Sequence, residues 1–187
     1  MKEGEKVRIT SDSGTDISFR LKGRPIWLDD GMIGEDDLSS GGYVTNLPCG
    51  EVYVAPLEET VEGRACFSLV THLGRRIENL ELIFKSGRME SFSAEEEGEK
   101  IMREILDHAT GDKDRIGEFG IGINPMIREP IGYALTDEKI YGSIHLALGE
   151  NRMYGGTNVA SLHWDLVLMA PTVELDGSCL LREGKIL

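Results

Sequence analysis

The sequence has few cysteines, no long apolar run and no apolar segment at its start. Its three cysteines, Cys49, Cys66 and Cys179, are isolated, odd in number and without the spacing of metal ligands. This excludes a disulfide framework and fits reduced thiols in a cytosolic protein. No apolar run approaches the roughly 20 residues that a membrane span requires. Residues 1–6 lack the apolar core of a signal peptide, so we expect a cytoplasmic protein without a membrane segment.

Basic residues are also scarce relative to acidic ones. The 20 lysines and arginines are outnumbered by 33 aspartates and glutamates, which gives a formal net charge of −13. A surface of this charge repels phosphate backbones, so nucleic acid is excluded as an expected partner. Solubility accounts for most such excesses, and composition alone leaves open which carboxylates, if any, are buried ligands.

The residues that are present predict one domain rich in strands. A chain of 187 residues, of which 40% are hydrophobic, is long enough to bury its own core. Alternating apolar and polar residues predict short strands, for example over 17–22 and 77–84. One main helix is predicted at about 95–109, with apolar residues on one face and glutamates in its first turns. We therefore predict a strand-dominated α+β fold in a single domain, residues 1–187.

The most informative pattern is a histidine followed two positions later by an aspartate. His163 and Asp165 point to the same face if this stretch is an extended strand. An imidazole beside a carboxylate on a rigid strand forms half of a site for a divalent transition metal. His145, Glu51 and Glu118 are candidates to complete it. Taken alone, Glu51 is more simply explained as a solvated residue, and spacing does not join either glutamate to the half-site.

Glu118 lies within a glycine-rich run, residues 116–125. The run lacks the lysine and the following serine or threonine of a phosphate-binding Walker loop, so nucleotide binding is excluded there. Its alternating glycines instead predict close backbone packing around Glu118. The charged residues 136–139 that follow are predicted to form a turn or a short helix.

Together the five candidates form a mixed nitrogen and oxygen ligand set. Such a set suits zinc, cobalt or manganese. Three carboxylates with two imidazoles exceed what one closed structural zinc site needs. They match a site for two divalent metal ions in which a carboxylate bridges the ions and a bound water becomes the nucleophile. The candidates are Glu51, Glu118, His145, His163 and Asp165.

Four stretches resemble the C-terminal half of the aminopeptidase T/S family, the M29-type metallopeptidases also called thermophilic or leucyl aminopeptidases. They are residues 14–16, 46–56, 117–124 and 137–165. Their order and approximate spacing are also those of the family, and the resemblance covers nearly the whole chain. It implies that the five candidates hold two divalent ions (Zn, Co or Mn), that Glu51 or Glu118 accepts a proton from water, and that Tyr154 is a catalytic tyrosine.

The resemblance also implies a fold, a function and an assembly. The fold is that of the catalytic C-terminal domain of these enzymes, the reaction is removal of N-terminal residues from peptides, and the expected assembly is a homodimer. Family enzymes carry a further N-terminal α/β domain that this sequence lacks, which predicts either a truncated enzyme or a naturally short relative. Two local departures are Cys49, where the family usually has threonine, and residues 146–153, which fit poorly the register that would place Tyr154.

Two other functions are open at this point. A dioxygenase group that cleaves hydroxylated pyridines resembles the same peptidases and holds one Fe(II) with a histidine and a His-x-Asp pair. The chain keeps both glutamates expected of the two-metal form, which favours the peptidase. The remaining alternative is a domain that binds metal or a partner without catalysis. Two metal ions per chain, one redox-active iron, or none would distinguish the three.

Overall fold

Two antiparallel β-sheets make up most of the computed structural model, which describes residues 5–40 and 45–187. The larger sheet has eight strands in the order β13-β12-β11-β1-β2-β5-β6-β7. Residues such as Val7 and Ile9 alternate with exposed neighbours, so one face of this sheet is buried. Its strands are β1 (Lys6–Thr10), β2 (Asp16–Arg20), β5 (Glu62–His72), β6 (Arg75–Lys85), β7 (Arg88–Ser93), β11 (Thr172–Leu175), β12 (Ser178–Arg182) and β13 (Lys185–Ile186).

The smaller sheet has five strands in the order β10-β9-β8-β4-β3. Every residue of β8 and β9, two of its three inner strands, is buried, so both faces of the sheet are covered there. One face is apolar, and the other carries most of the acidic and histidine side chains considered below. The strands are β3 (Ile26–Asp29), β4 (Glu51–Val54), β8 (Ile116–Gly122), β9 (Ile144–Gly149) and β10 (His163–Leu168).

Helices are few among the described residues. The main helix, α2 (Glu96–His108), buries Ile101, Met102 and Ile105 and packs against β6. The other two, α1 (Glu35–Ser40) and α3 (Ala134–Asp137), are short, and two 3₁₀ turns lie at Glu58–Thr60 and Arg152–Tyr154. The prediction of a strand-dominated α+β fold with one main helix near 95–109 is therefore confirmed.

The apolar faces of the two sheets share one hydrophobic core. Phe19 of β2 and Phe119 of β8 meet edge to face, with ring centroids 5.3 Å apart. Leu146 and Trp164, from β9 and β10, belong to the same buried cluster. The length of the chain predicts a single domain, and its boundaries, residues 1–187, stay a prediction.

The described residues also bear on the predictions about a membrane segment and about cysteine pairing. None of the described helices is long and apolar enough to cross a membrane. Cys49, Cys66 and Cys179 are free thiols. Residues 1–4, which carry part of the argument against a signal peptide, lie outside the described residues.

Candidate metal centre

One face of the five-stranded sheet brings the predicted ligands together. Glu51 comes from β4, Glu118 from β8, His145 from β9, and His163 and Asp165 from β10. The strand register explains the meeting, because Glu118 and Asp165 both pair with Ala147 on the strand between them. His163 and Asp165 share a face, as their spacing predicts.

Glycines on this face let the backbone and the ligands approach closely. Gly120 pairs with His145 across the sheet, and a Cβ added at Gly120 would lie 2.0 Å from Cε1 of the imidazole. A Cβ at Gly122 would lie 2.1 Å from the carbonyl oxygen of Ile140. The imidazole of His145 therefore lies directly on the β8 backbone, and the segment containing residues 138–140 covers the end of the same strand.

A first group of ligand atoms lies around His145. Its Nε2 donates a hydrogen bond to Oε1 of Glu118 at 3.2 Å and lies 3.5 Å from Oε2 of Glu51. One ligand atom from each of the three residues falls within 4.8 Å of the other two. All three side chains are nearly or fully buried. Two carboxylates and one imidazole this close together can hold a divalent ion.

A second group shares Glu118 with the first. Oε2 of Glu118 lies 3.4 Å from Nε2 of His163, which in turn lies 3.6 Å from Oδ1 of Asp165. The two oxygens of one carboxylate thus face two different histidines. Nδ1 of His163 donates to the carbonyl oxygen of Glu150 at 2.8 Å, which leaves Nε2 free to ligate a metal in the neutral imidazole.

Glu138 and Lys139 also lie at this site, and the sequence indicated neither. The Lys139 ammonium is completely buried. It donates to Oε1 of Glu51 at 2.6 Å and to Oε1 of Glu138, and lies 3.6 Å from Oδ2 of Asp29. Glu138 also forms a possible third ligand group with His145 and Asp165. The predicted short helix is present as α3, but the charged residues that follow it are buried. We call the following residues the ligand cluster: Glu51, Glu118, Glu138, Lys139, His145, His163 and Asp165.

The four carboxyl groups of the ligand cluster fall into two pairs. The pKa values of Glu51 and Glu138 are raised, and those of Glu118 and Asp165 are lowered. Burial raises the pKa of Glu51, and it raises that of Glu138 to about 7, helped by the charge of Asp165. Burial also acts to raise the pKa of Glu118 and Asp165. Hydrogen bonds from His145 and His163 outweigh burial at Glu118 and lower its pKa. A hydrogen bond from His163 and the charges of both histidines bring the pKa of Asp165 to about 2.

The histidines show the complementary shifts. Burial acts to lower the pKa of His145, but Glu118 and Glu51 raise it to about 9. Burial likewise opposes the charge of His163, yet Asp165 and Glu118 raise its pKa to about 11. The carboxylates therefore attract positive charge strongly, and a metal ion that binds here displaces protons from the imidazoles.

Several buried atoms of the cluster and its surroundings lack hydrogen-bond partners. Among the described residues, five buried side-chain nitrogen or oxygen atoms have none, and three of them are Asp29 Oδ2, Glu51 Oε2 and His145 Nδ1. An unsatisfied buried polar group costs about 1–3 kcal/mol. A cation held by Glu51 Oε2 would supply the missing partner of that oxygen. The donor set and this orphaned oxygen fit divalent ions.

Tyr154 lies beside the cluster. Its ring centroid is 5.5 Å from that of His163 and 5.4 Å from that of Tyr53, a second tyrosine that the sequence did not indicate. Both tyrosines line a pocket of about 250 Å³ with Glu118 and Asp165. Burial, reinforced by nearby carboxylates, raises the pKa of Tyr53 to about 12 and raises that of Tyr154 as well. Both phenols stay protonated near neutral pH and can donate hydrogen bonds.

A separate set of buried polar residues holds the turn that carries Tyr154. Glu58 accepts hydrogen bonds from Asn151 Nδ2 at 2.9 Å and from the Thr157 backbone at 2.7 Å, and it pairs with Arg24. Asn151 also donates to the carbonyl oxygen of Gly117 on β8 and accepts from the Asn158 backbone. We call these five residues the Glu58 network: Arg24, Glu58, Asn151, Thr157 and Asn158.

Comparisons with known proteins agree on a family. A model of the family described as thermophilic metalloprotease (M29) matches residues 1–185. The chain is 30% identical over 191 residues to aminopeptidase T of Thermus aquaticus, covering 91% of this chain and 44% of the relative. It is 29% identical over 184 residues to aminopeptidase T of Thermus thermophilus, with coverage of 88% and 43%. The chain therefore spans less than half the length of these relatives.

Two solved structures share the fold over the whole chain. One is 2,5-dihydroxypyridine dioxygenase from Pseudomonas putida KT2440, with a TM-score of 0.79 and 17% identity, of which 56% is covered. The other is wild-type AmpT from Thermus thermophilus, with a TM-score of 0.76 and 23% identity, of which 50% is covered. At these identities the likeness concerns the fold and not the chemistry.

Proposed function

The chain belongs to the thermophilic metalloprotease (M29) family, and on this premise we propose that it is the metal-binding portion of an aminopeptidase. The proposed enzyme removes N-terminal residues from peptides with water activated by two divalent ions, Zn, Co or Mn. Membership in a metallopeptidase family implies a divalent metal cofactor. The number of ions, the peptide reaction of this chain and the role of each residue are our proposals.

The observation that carries the proposal is the position of Glu118 between two ligand groups. Its two oxygens face His145 on one side and His163 on the other, at 3.2 and 3.4 Å. Glu51 completes the first group and Asp165 the second. A carboxylate placed in this way is suited to bridge two ions. When bound, such ions lower the pKa of a coordinated water from about 16 towards about 7 and polarise a carbonyl group.

The chain's own side chains supply the rest of the proposed chemistry. Tyr154 remains protonated and donates a hydrogen bond to the oxygen of the substrate carbonyl as negative charge develops there. Glu51 or Glu118 accepts the proton that the water loses. Lys139 holds one oxygen of Glu51 at 2.6 Å, which directs the other oxygen towards the ligand group.

The alternative chemistry is a site for one Fe(II) in a ring-cleaving dioxygenase, held by His145, His163 and Asp165. The fold likeness to the Pseudomonas enzyme makes this alternative concrete. Two buried glutamates beside His145 favour the two-ion site, because a site for one ion has no need of both Glu51 and Glu118. A metal-binding domain without catalysis is the third possibility.

Elemental analysis of protein purified without chelator tests the proposal, followed by assay of leucyl-p-nitroanilide with added cobalt or zinc. We expect two divalent ions per chain and metal-dependent release of p-nitroaniline. Since the relatives are about twice as long, the isolated chain is expected to turn over slowly: positioning of the substrate contributes up to roughly 7–11 kcal/mol. One tightly bound iron per chain would favour the dioxygenase, and absence of bound metal would contradict both enzymes.

We also propose a cytoplasmic homodimer. Its free cysteines suit a reducing compartment, and the family resemblance is to dimeric enzymes. Multi-angle light scattering at high micromolar concentration checks the assembly. A mass equal to one chain of 20.7 kDa at every concentration would contradict the dimer.

A further inference from the structure

A second and larger cleft adjoins the pocket of the ligand cluster. Its volume is about 920 Å³, against about 250 Å³ for the pocket that holds Tyr154 and His163. Asp165 lines both spaces. Sites for small molecules usually measure about 300–1,000 Å³. The cleft falls in this range, whereas the pocket of the ligand cluster is smaller than such sites.

The two spaces are built from the same two pieces of chain. Along β10, side chains two positions apart share a face, so His163, Asp165 and Val167 form one row. The row begins in the pocket at His163 and enters the cleft at Val167. Opposite this row, Leu135 lines the pocket while Ala134 lines the cleft. The cleft is therefore a continuation of the pocket and not a separate depression.

Hydrogen bonds hold the walls of the cleft in place. Thr71 at the end of β5 donates its hydroxyl to the carbonyl oxygen of Gly132 at 3.2 Å, and its own carbonyl oxygen accepts from Trp164 Nε1 of β10 at 2.9 Å. The Asp137 carboxylate accepts from the backbone of Ile131 and Gly132, each at 2.8 Å. Three separate parts of the chain are thus joined around the cleft before any ligand binds.

Most of the surface that lines the cleft is apolar, although charged residues such as Asp12, Arg76 and Glu183 also line it. Leu69 is 39% exposed, Ile131 is 71% exposed and Met169 is 41% exposed, and all three line the cleft with Val167. Apolar groups exposed in a preformed concave site indicate an apolar ligand, since removing apolar surface from water stabilises the complex.

We propose that the cleft binds the part of a peptide substrate that follows the scissile bond, with a preference for apolar residues there. The inference rests on the proposed function, because it takes the ligand cluster as the place where the first peptide bond is cut. The pocket there is too small for more than the first residue and the groups that act on it. The remaining residues need an open and longer space, and the cleft provides one that begins at Asp165.

Two non-hydrolysable probes test the inference without requiring turnover. One is a hexapeptide with N-terminal leucine, apolar residues at positions two to four and a C-terminal fluorophore. The other is the corresponding dipeptide. In both, the first peptide bond is reduced to CH₂–NH. Fluorescence anisotropy gives the hexapeptide affinity and competition gives that of the dipeptide. We expect the hexapeptide to bind at least about tenfold more tightly, which corresponds to about 1.4 kcal/mol.

Substitutions in the cleft locate the extra affinity. Leu69→Trp narrows the cleft and Leu69→Ala removes an apolar contact, and we expect each to reduce the hexapeptide advantage while leaving dipeptide affinity unchanged. Leu187→Trp, at an exposed position that lines neither space, is the matched control and keeps the advantage. Thermal unfolding and metal content of each variant show whether the fold is retained.

The experiment distinguishes failure of the cleft as a peptide site from failure of the proposed metallopeptidase function. Equal affinity of the wild-type chain for both probes, or an advantage that survives both Leu69 variants, overturns the cleft as a peptide site even if two metal ions are bound. A hexapeptide advantage that depends on Leu69 in a chain that binds no metal supports the cleft and contradicts the proposed metallopeptidase.

Discussion

The ligand cluster and the Glu58 network are both buried and polar, but they satisfy their charges differently. In the Glu58 network, both oxygens of Glu58 and both polar atoms of the Asn151 side chain have hydrogen-bond partners. Only Nε of Arg24 lacks one. In the ligand cluster, Glu51 Oε2 and His145 Nδ1 lack partners. Its four carboxyl groups lie among two imidazoles and one buried ammonium, and of these carboxyl groups only Glu51 and Glu138 contact that ammonium.

The difference separates a structural set of polar residues from a set that needs an added ion. Neutral amides, a backbone N–H and one guanidinium complete the Glu58 network, so it can form when the chain folds alone. The ligand cluster instead places like charges within a few ångströms, which is costly unless cations or protons compensate. We conclude that cations should change the ligand cluster strongly and the Glu58 network hardly at all.

The largest expected effect is that of Glu118→Gln. The substitution keeps the size of the side chain but removes the charge that both ligand groups share, so we expect binding of both ions to be lost. Elemental analysis of ions per chain measures it. Glu90→Gln, at an exposed position on β7, is the control and should retain both ions. A Glu118→Gln chain with two ions at wild-type affinity would show that the carboxylate does not bridge.

His163→Ala and Asp165→Ala should have the next largest effect. Each removes a donor from the second group and leaves Glu51, Glu118 and His145 of the first group intact. We therefore expect most of the ion in the second group to be lost while the ion in the first group, the fold and the circular dichroism spectrum are retained. The affinity for the ion that is lost should fall by more than about 100-fold, because loss of a mere hydrogen-bond partner of a metal ligand already lowers metal affinity by up to about 100-fold. Competition with a chelating dye measures it, and full occupancy in either variant would contradict the assignment.

Glu58→Gln should affect stability and not metal binding. Loss of hydrogen bonds to a buried charge is expected to lower the free energy of unfolding by about 1.5–3 kcal/mol at pH 7, measured by urea denaturation. Glu59→Gln, at the exposed neighbouring position, should leave stability nearly unchanged. If Glu58→Gln lost bound metal while remaining folded, the two sets of residues would not be independent.

The same variant has a pH dependence with a defined sign. Burial acts to raise the pKa of Glu58, but hydrogen bonds from Thr157 and Asn151 and the charge of Arg24 lower it below the ordinary 4.5. A carboxyl group with a lowered pKa in the folded state stabilises the fold above its unfolded pKa, and this contribution is lost as the pH falls through the folded value. The stability difference between wild type and Glu58→Gln should therefore be full at pH 7 and shrink below about pH 4.5.

The sequence predicted those features that depend on local periodicity or on family resemblance. The alternation of residues predicted the strands, the apolar face and glutamates predicted α2, and the two-residue spacing placed His163 and Asp165 on one face. The glycine run correctly indicated close packing near Glu118, which the contact between Gly120 and His145 explains. Membership in the metallopeptidase family, suggested by four short stretches, is also confirmed.

The features that were missed depend on contacts between distant parts of the chain. The charges of Glu138 and Lys139 predict a turn or a short helix and give no sign of burial. Their burial depends on residues 138–140 packing over Gly122, which local sequence does not show. Glu51 read alone as a solvated glutamate, but it is only 4% exposed, since the segment with Lys139 covers it. Glu58 belongs to a pair of adjacent glutamates, and nothing local indicates that one is buried and its neighbour exposed. The catalytic role of Tyr154 and the assignment of each ligand stay predictions.

The enclosed amine of Lys139 makes this residue a natural reporter of how often the site opens. Reagents that acylate lysines react with a free amine in water, and this amine is fully buried among Asp29, Glu51 and Glu138. It can be labelled only after residues 138–140 move away from β8, so the labelling rate in peptide mass spectrometry measures the frequency of that opening. Divalent ions bound by Glu51 and Glu138 should slow the labelling of Lys139, while surface lysines such as Lys22 react at their usual rate.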